Sequence, residues 1–572
     1  MFKAARHFWH HRCEALCHGS PHLTASPRTS SSSSSSSSST TSTTATATAT
    51  ATKTAATHQR RFLGTNSRSY RDVLQKLTQL QSNRTITHLF DKTYPPTQSP
   101  QTQTQTQTQT QTQDLNAAAL PEMREWLRRA GYSPEDLSPM RHIHIAGTKG
   151  KGSVCAFTTA MLREYTPVGT YTSPHLISPR ERIAINGLLL SQEAFTAHFM
   201  DLWDRFTQSA IERGDMDAAT ARGPASKPFY FRFLTILAWH VFLREGIRDV
   251  VMECGIGGEY DATNVLPAGA VSAAVVTQLG VDHEAMLGNT VEEVAWHKAG
   301  ILKSGVKAFT VNVRQRPSVM EVLRARAREK GAELVELEVE DVEVWGRGVE
   351  GSLQGDFQKM NQALAVMAVK EHVGGFEGGN RALSPHEALP DQMLRGLRTA
   401  SLRGRCEVLQ QEDTTWLLDG AHTTDSLEQV AKWVAAQKLR SSADDDEDES
   451  GKLVLLFNQQ QRNAPALLKV FVEALQREMG REDVVSHALF TRNELPQSRP
   501  QQQPYDLAVQ NAAAAMMESL CPGCRIDVRD NVVSAVEDAK RALGGRRGRV
   551  LVTGSLHLVG GVMQVLEPDT LL

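Results

Sequence analysis

Between residues 142 and 154 the chain admits few architectures. His142-Ile-His-Ile-Ala146 alternates as a short strand, Gly147-Thr-Lys-Gly-Lys-Gly-Ser153 follows at once, and a helix is expected from Val154. Glycines at 147, 150 and 152 let backbone N–H groups turn toward a common centre, and the following helix N-terminus adds positive potential. Strand, glycine turn and helix in that order open a βαβ unit of parallel sheet. The turn reads as a phosphate-binding loop, with Gly147, Thr148, Gly150, Lys151, Gly152 and Ser153 as its candidate nucleotide contacts. Lys151 would neutralise the terminal phosphates, and the Ser153 hydroxyl would stand within reach of Mg²⁺. The loop is shorter than the commonest version of this motif, and taken alone it could be an ordinary turn.

The rest of the chain sets the frame. Its 572 residues would suit about three or four domains at ~150 residues each. Residues 1–70 reduce that number, because they lack the branched apolar side chains a core needs. Residues 1–71 are Ser/Thr/Ala-rich, with the unbroken run Ser30 to Ser39 and Glu14 as the single acid. Such a segment buries too little area to offset its ordering entropy and is expected to be disordered. Arg-rich, Ser-rich and acid-poor, it also has the make-up of a mitochondrial presequence, so a mitochondrial or cytoplasmic location, or both, is expected. A net charge of -2 gives no reason to expect nucleic acid or an anionic membrane as partner. No apolar run approaches the roughly 18 residues of a membrane-spanning helix. The 7 cysteines are too scattered for a disulfide scaffold, and the pair in Cys521-Pro-Gly-Cys524 reads as a turn carrying two thiols.

Apolar spacing predicts a helix over 70–81, and the Gln/Thr-rich stretch 97–113 a flexible insert. From 114 to 413 short β-rich runs alternate with helical stretches, as in parallel βαβ units. A second alternating region reaches the C-terminus, interrupted by loop-like compositions at 441–451 and 497–504. The expected fold is α/β with two domains: an ATP-binding parallel-sheet domain over 71–402 and a smaller α/β domain over 403–572.

Further strand ends carry chemistry. Val168–Tyr171 leads to Ser173, Arg248–Met252 to Glu253, and Ala273–Gln278 to Asp282 and His283. In a parallel sheet the carboxyl ends share one edge, where ligands bind. Singly, Ser173 could be a helix cap, Glu253 a surface acid and His283 a loop histidine. Jointly, a hydroxyl, a carboxylate and an imidazole at that edge are candidate ligands for a divalent cation beside the phosphate loop.

The phosphate loop, Ser173-Pro-His-Leu176 with Glu181-Arg-Ile-Ala-Ile-Asn-Gly187, Glu253-Cys-Gly-Ile-Gly-Gly258 and Asp419-Gly-Ala-His422 together resemble the folylpolyglutamate synthases, relatives of the Mur peptidoglycan ligases. The resemblance spans about Tyr70 to Val562, and Leu455-Leu-Phe-Asn458 and Val552-Thr-Gly-Ser-Leu556 look like the eukaryotic branch. It implies transfer of the ATP γ-phosphoryl group to a folate tail carboxylate and attack on the acyl phosphate by the amine of L-glutamate. It also implies Mg²⁺, with Lys151, Lys298 and His422 as catalytic groups and Lys298, in Lys-Ala-Gly-Ile301, carbamylated (N6-carboxylysine). Asn361, Arg405 and Asp419 are carried over as ATP contacts, with Arg403 a close rival of Arg405. His422 and Ser555 are carried over to glutamate, although His422 could be a capping or core histidine. Lys149 and Thr423 depart from the commoner residues without removing a needed group. The implied partners are ATP, a reduced folate and L-glutamate, on a monomer. Dihydrofolate synthase, which joins glutamate to dihydropteroate, and a non-catalytic nucleotide-binding scaffold of the same fold remain the rivals.

Overall fold

A computed structural model describes residues 69–80, 105–374, 388–440, 453–460, 462–495 and 505–568. The presequence-like segment 1–68 and the expected loops at 441–451 and 497–504 lie outside the described residues, as does the 97–104 part of the insert.

The first sheet is built from β1 (Arg141–Ala146), β2 (Val168–Tyr171), β3 (Ile183–Ile185), β4 (Leu188–Leu189), β5 (Asp249–Glu253), β6 (Val271–Val276), β7 (Lys307–Val311) and β8 (Glu333–Leu337). Their order is β4-β3-β2-β5-β1-β6-β7-β8. β1 pairs in parallel with β5 and β6, β2 with β5, β6 with β7 and β7 with β8; only the pairs β2–β3 and β3–β4 are antiparallel. β1 is therefore central, and every residue from His142 to Ala146 is buried. A parallel strand covered on both faces needs this continuous burial. Its two histidines are tolerated there because His142 Nδ1 meets Ala270 O at 2.8 Å and His144 Nε2 meets Thr263 Oγ1 at 2.8 Å.

Helices Lys151–Leu162 and Gln358–His372 pack on one face through Phe157, Met161, Leu364 and Met367. On the other, helices Gln192–Glu212 and Tyr230–Arg244 bury Phe199, Trp203, Phe233 and Trp239. The expected N-terminal helix is present as Tyr70–Gln79, with Ser69 and Asp72 closing a reciprocal capping box. One expectation is corrected. The Gln/Thr repeat is not a flexible insert from Gln105 onward, since Gln105–Arg129 is one helix. Gln is a good helix former, and extending a helix already nucleated downstream avoids the penalty of starting one.

The second sheet contains β9 (Glu407–Gln411), β10 (Thr414–Leu418), β11 (Leu453–Phe457), β12 (Val485–Thr491), β13 (Arg525–Arg529) and β14 (Gly548–Thr553), in the order β13-β12-β11-β14-β10-β9. All pairs are parallel except β9 with β10. The α/β fold with two sheets is thus the one expected. The loop after β2 joins the two halves. Leu176 and Ile177 are buried among Leu558, Val559 and Val562 of the second domain. A Cβ at Gly560 would lie 2.4 Å from Leu176 O, so only glycine admits this approach. No helix among the described residues is long and apolar enough to cross a membrane.

Candidate active site

The Gly147–Ser153 loop is held from below by the β6 edge. Thr148 N and Lys149 N donate to Gln278 O at 2.9 and 3.2 Å, Thr148 Oγ1 donates to Gly280 O at 2.8 Å, and Thr277 Oγ1 donates to Lys149 O at 2.6 Å. Thr148 is therefore a tether of the loop in this structure. The helix begins at Lys151, three residues earlier than the sequence suggested, so Lys151, Gly152 and Ser153 form its first turn. Their N–H groups have no acceptor within the helix and are the ones free for an anion. Gly150 has φ +90° and lies against Asn361, whose Oδ1 would be 2.4 Å from a Cβ there. Asn361 Nδ2 donates to Gln358 Oε1 at 2.9 Å, and Gln358 Nε2 donates to Ser153 Oγ at 3.2 Å. The helix carrying Asn361 and the loop are thus one hydrogen-bonded unit.

Two lysines converge on Gly147, whose carbonyl accepts from Lys151 Nζ at 3.0 Å and from Lys298 Nζ at 2.7 Å. Lys298 is buried at the end of helix Val291–Lys298. Burial, reinforced by the Lys151 charge, lowers its amine from 10.5 to about 7. Lys298 is therefore not a surface lysine.

At the ends of β2 and β5, Ser173 N donates to Glu253 Oε2 at 3.0 Å. Glu253 is buried, and burial raises its carboxyl above the ordinary range against the pull of Lys151, the Ser173 N–H, Arg405 and Arg182. His283 stands on the loop beyond β6 with φ +53° and its side chain 44% exposed. Desolvation by the surrounding protein lowers its imidazole, Asp282 opposes, and Lys298 and Lys151 add to the lowering. Of the three expected metal ligands, Ser173 meets Glu253 through its backbone N–H, and the Lys151 charge acts on both Glu253 and His283. Among the described residues no three His, Cys, Asp or Glu side chains gather as a metal cluster. A hard cation bridging phosphates does not need one, because it takes much of its shell from phosphate and water oxygens. A buried carboxylate beside a serine has the donor chemistry for Mg²⁺.

The second domain supplies the opposite wall. Asp419, at the end of β10, is buried and accepts from Cys406 N at 2.7 Å and Ala421 N at 2.8 Å. Burial raises its carboxyl, with Arg405 the main opposing charge. Arg405 thus acts on Asp419 in its own domain and on Glu253 in the other. Arg403 is engaged elsewhere, with Glu407 at 2.6 Å and with Glu567. His422 Nδ1 lies 2.9 Å from Gly420 O. A carbonyl only accepts, so Nδ1 carries the proton and Nε2 is the acceptor nitrogen. Burial lowers its pKa, the Gly420 carbonyl opposes, and Arg405 and Arg462 lower it further. Ser555 precedes helix Leu556–Leu566 without capping it through its side chain.

The comparisons with known proteins bear on this cleft. A sequence family described as the dihydrofolate synthetase C-terminal domain matches residues 403–565. A folylpolyglutamate synthase of Saccharomyces cerevisiae (strain ATCC 204508 / S288c) is 37% identical over 475 residues, covering 79% of this chain and 82% of the relative. The chain belongs to the folylpolyglutamate synthase family. In fold it is similar to the Mycobacterium tuberculosis folylpolyglutamate synthase complexed with ADP and AMPPCP, with a TM-score of 0.59 and 23% identity over 80% of this chain and 98% of that one. The Thermotoga maritima folylpolyglutamate synthase matches with a TM-score of 0.57 and 21% identity, covering 82% and 98%.

Two charged links across the cleft of this folylpolyglutamate synthase relative escaped the sequence reading. Arg462 Nη2 lies 3.2 Å from Asp282 Oδ1, and Lys149 Nζ lies 3.1 Å from Asp425 Oδ2. Arg462 follows β11, so its loop lies at the carboxyl end of a parallel strand, where a binding residue could have been sought. Gln358 gave no signal, since a glutamine at a helix start is ordinary until its partner Ser153 is known.

Proposed function

We propose that this chain is an ATP-dependent amide ligase that adds L-glutamate to the γ-carboxylate of folate glutamate tails through an acyl phosphate, releasing ADP and phosphate. The observation that carries the reading is the contact of Lys149 Nζ with Asp425 Oδ2 at 3.1 Å, which ties the Gly147–Ser153 loop to the helix just after Asp419. That contact supports a cleft shared by the nucleotide loop of one domain and the strand ends of the other.

Donor and acceptor are both anions, so the main tasks are neutralisation and alignment. Lys151 and the first-turn N–H groups of its helix hold the β- and γ-phosphates. Asn361 packs under Gly150 and keeps the loop in shape for them. Glu253, Ser173 and His283 would hold Mg²⁺, which when bound supplies positive charge at the transferring phosphoryl group. Arg405 and Asp419 close over the nucleotide from the second domain and exclude water that would hydrolyse the acyl phosphate. Neutral His422, through Nε2, orients the incoming amine, with Ser555 a further contact.

Incoming glutamate brings two carboxylates and needs a cation on the second-domain side. Arg462 is 43% exposed, stands near His422 and makes only its cross-cleft pair with Asp282 among the ion pairs described for it. Arg462→Ala is expected to raise KM for glutamate by at least about tenfold, the effect of losing a charge-assisted hydrogen bond, while KM for ATP holds. Steady-state kinetics with each substrate varied in turn checks it.

Lys298 is proposed to react with CO₂, forming an N–C bond and releasing a proton, so that a cation becomes an anion beside the loop. Only the neutral amine reacts. Burial disfavours the ammonium, so the folded chain gives up this proton near 7, whereas an ordinary lysine holds it to 10.5. At fixed bicarbonate, activity is therefore expected to climb as pH rises through 7 and to fall below it. Lys298→Arg, which stays cationic, should lose activity without responding to bicarbonate.

The presequence composition supports a mitochondrial address for at least part of the protein. Substrate choice is tested by incubating purified protein with ATP, glutamate and either tetrahydrofolate or dihydropteroate. Glutamylated tetrahydrofolate is the expected product; product from dihydropteroate alone would assign the synthase reaction instead, and ATP turnover indifferent to glutamate would assign a scaffold.

A further inference from the structure

The turn Cys521-Pro-Gly-Cys524 takes no part in the cleft chemistry. Cys521 caps the C-terminus of helix Ala508–Leu520, and Cys524 directly precedes β13. Cys524 N donates to Cys521 O at 2.9 Å, closing a four-residue turn with proline at its second position. A turn closed in this way keeps its first and last Cα atoms within about 7 Å, and disulfides span Cα separations of about 4.4–6.8 Å. Both thiols are free. Cys521 Sγ donates to Glu482 O at 3.5 Å and Cys524 Sγ to Arg525 O at 3.3 Å, so each is parked on a carbonyl that side-chain rotation would release. Cys521 is buried and Cys524 partly exposed, which sets an order of attack: an oxidant from solvent meets Cys524 first. The remaining described cysteines, Cys155, Cys254 and Cys406, are all buried at separate places in the fold.

We propose that Cys521 and Cys524 are a reversible redox site, forming an intramolecular disulfide by exchange with a small-molecule disulfide. The Cys524 thiolate attacks one sulfur of the oxidant, breaking its S–S bond, expelling one thiolate and leaving a mixed disulfide. The Cys521 thiolate then attacks the Cys524 sulfur and expels the second. The protein loses two thiol protons and two electrons and gains one S–S bond, and the oxidant becomes two thiols. The position gives the bond a consequence. At the other end of the same helix Gln510 Nε2 donates to Asn458 Oδ1 at 2.9 Å, at the carboxyl end of β11 and just before the Arg462 loop. The disulfide would clamp to β13 the helix that holds Asn458. Desolvation by the surrounding protein raises both thiols above the ordinary range, and at Cys524 the neighbouring Cys521 adds to it. Exchange is accordingly slow near neutrality and faster in mild alkali.

The test uses the full chain in its native state, equilibrated with oxidised glutathione, then denatured, alkylated and digested with trypsin. Both cysteines fall in one peptide, Asn493–Arg525, because Arg499 precedes proline. The expected result is a peptide about 2 Da lighter than the dithiol, unalkylated, and restored to two alkylation sites by dithiothreitol. Cys521→Ser should instead accumulate glutathione on Cys524, the intermediate that the native chain resolves. Full alkylation of both cysteines after oxidation, a lasting glutathione adduct on the native chain, or a link from either cysteine to a third would each overturn the proposal.

Discussion

Lys151→Ala is expected to lower turnover by about 10³-fold or more, close to 4 kcal/mol of transition-state stabilisation, while the protein stays folded. The size follows from what the ammonium faces. Charge on the transferring phosphoryl oxygens must be met by groups already in place, and Lys151 is held on the loop by carbonyl oxygens of Gly147 and Thr148 at 3.0 and 3.5 Å. The fold should survive because Lys151 is only partly buried and its hydrogen bonds stay within its own turn. Its loss also relieves Lys298, whose amine it helps to hold low. Turnover and thermal unfolding measured side by side decide the matter. Near-normal turnover would remove Lys151 from the phosphate site, and an unfolded variant would mean that the loop depends on it structurally.

The second large effect separates two neighbouring arginines. Arg405→Ala removes a charge that acts on two buried carboxyl groups, Glu253 and Asp419, and is expected to reduce kcat/KM for ATP by about 10²–10³-fold. Arg403→Ala removes a tie to Glu407 and Glu567 at the domain edge. It should lower the melting temperature slightly, as a partly exposed ion pair of order 1 kcal/mol would, and leave kcat/KM for ATP within about threefold. Equal losses in both variants would show that the nucleotide does not distinguish them and that Arg405 has no special place.

These contrasts show how far the residues could be read without the fold. β1, the glycine loop after it, β2, β5 and β6 were legible because apolar runs bounded by glycine or a charged residue have few alternatives in a parallel sheet. The loop-to-helix boundary was missed by three residues, since Lys-Gly-Ser has no pattern of its own. Gln105–Arg129 was missed because repetition of Gln and Thr carries no apolar periodicity, and its helix extends a downstream one. Arg405 and Arg403 were indistinguishable in sequence: two arginines around one glycine differ only in which carboxylates surround them.

By itself the order of residues determined the class of the protein. Alternation of strand and helix forces a parallel sheet, and a parallel sheet puts every strand's carboxyl end on one edge, so Ser173, Glu253 and His283 had to share a rim with the phosphate loop. Tertiary structure alone decided how the two rims meet. Leu176 packing against Gly560, Arg462 reaching Asp282 and Arg405 acting on both domains join residues far apart in the chain. The physical reason is range. Periodicity and turn chemistry act over a few residues and are written locally, whereas charge and close packing act through space between segments whose separation along the chain carries no record of it.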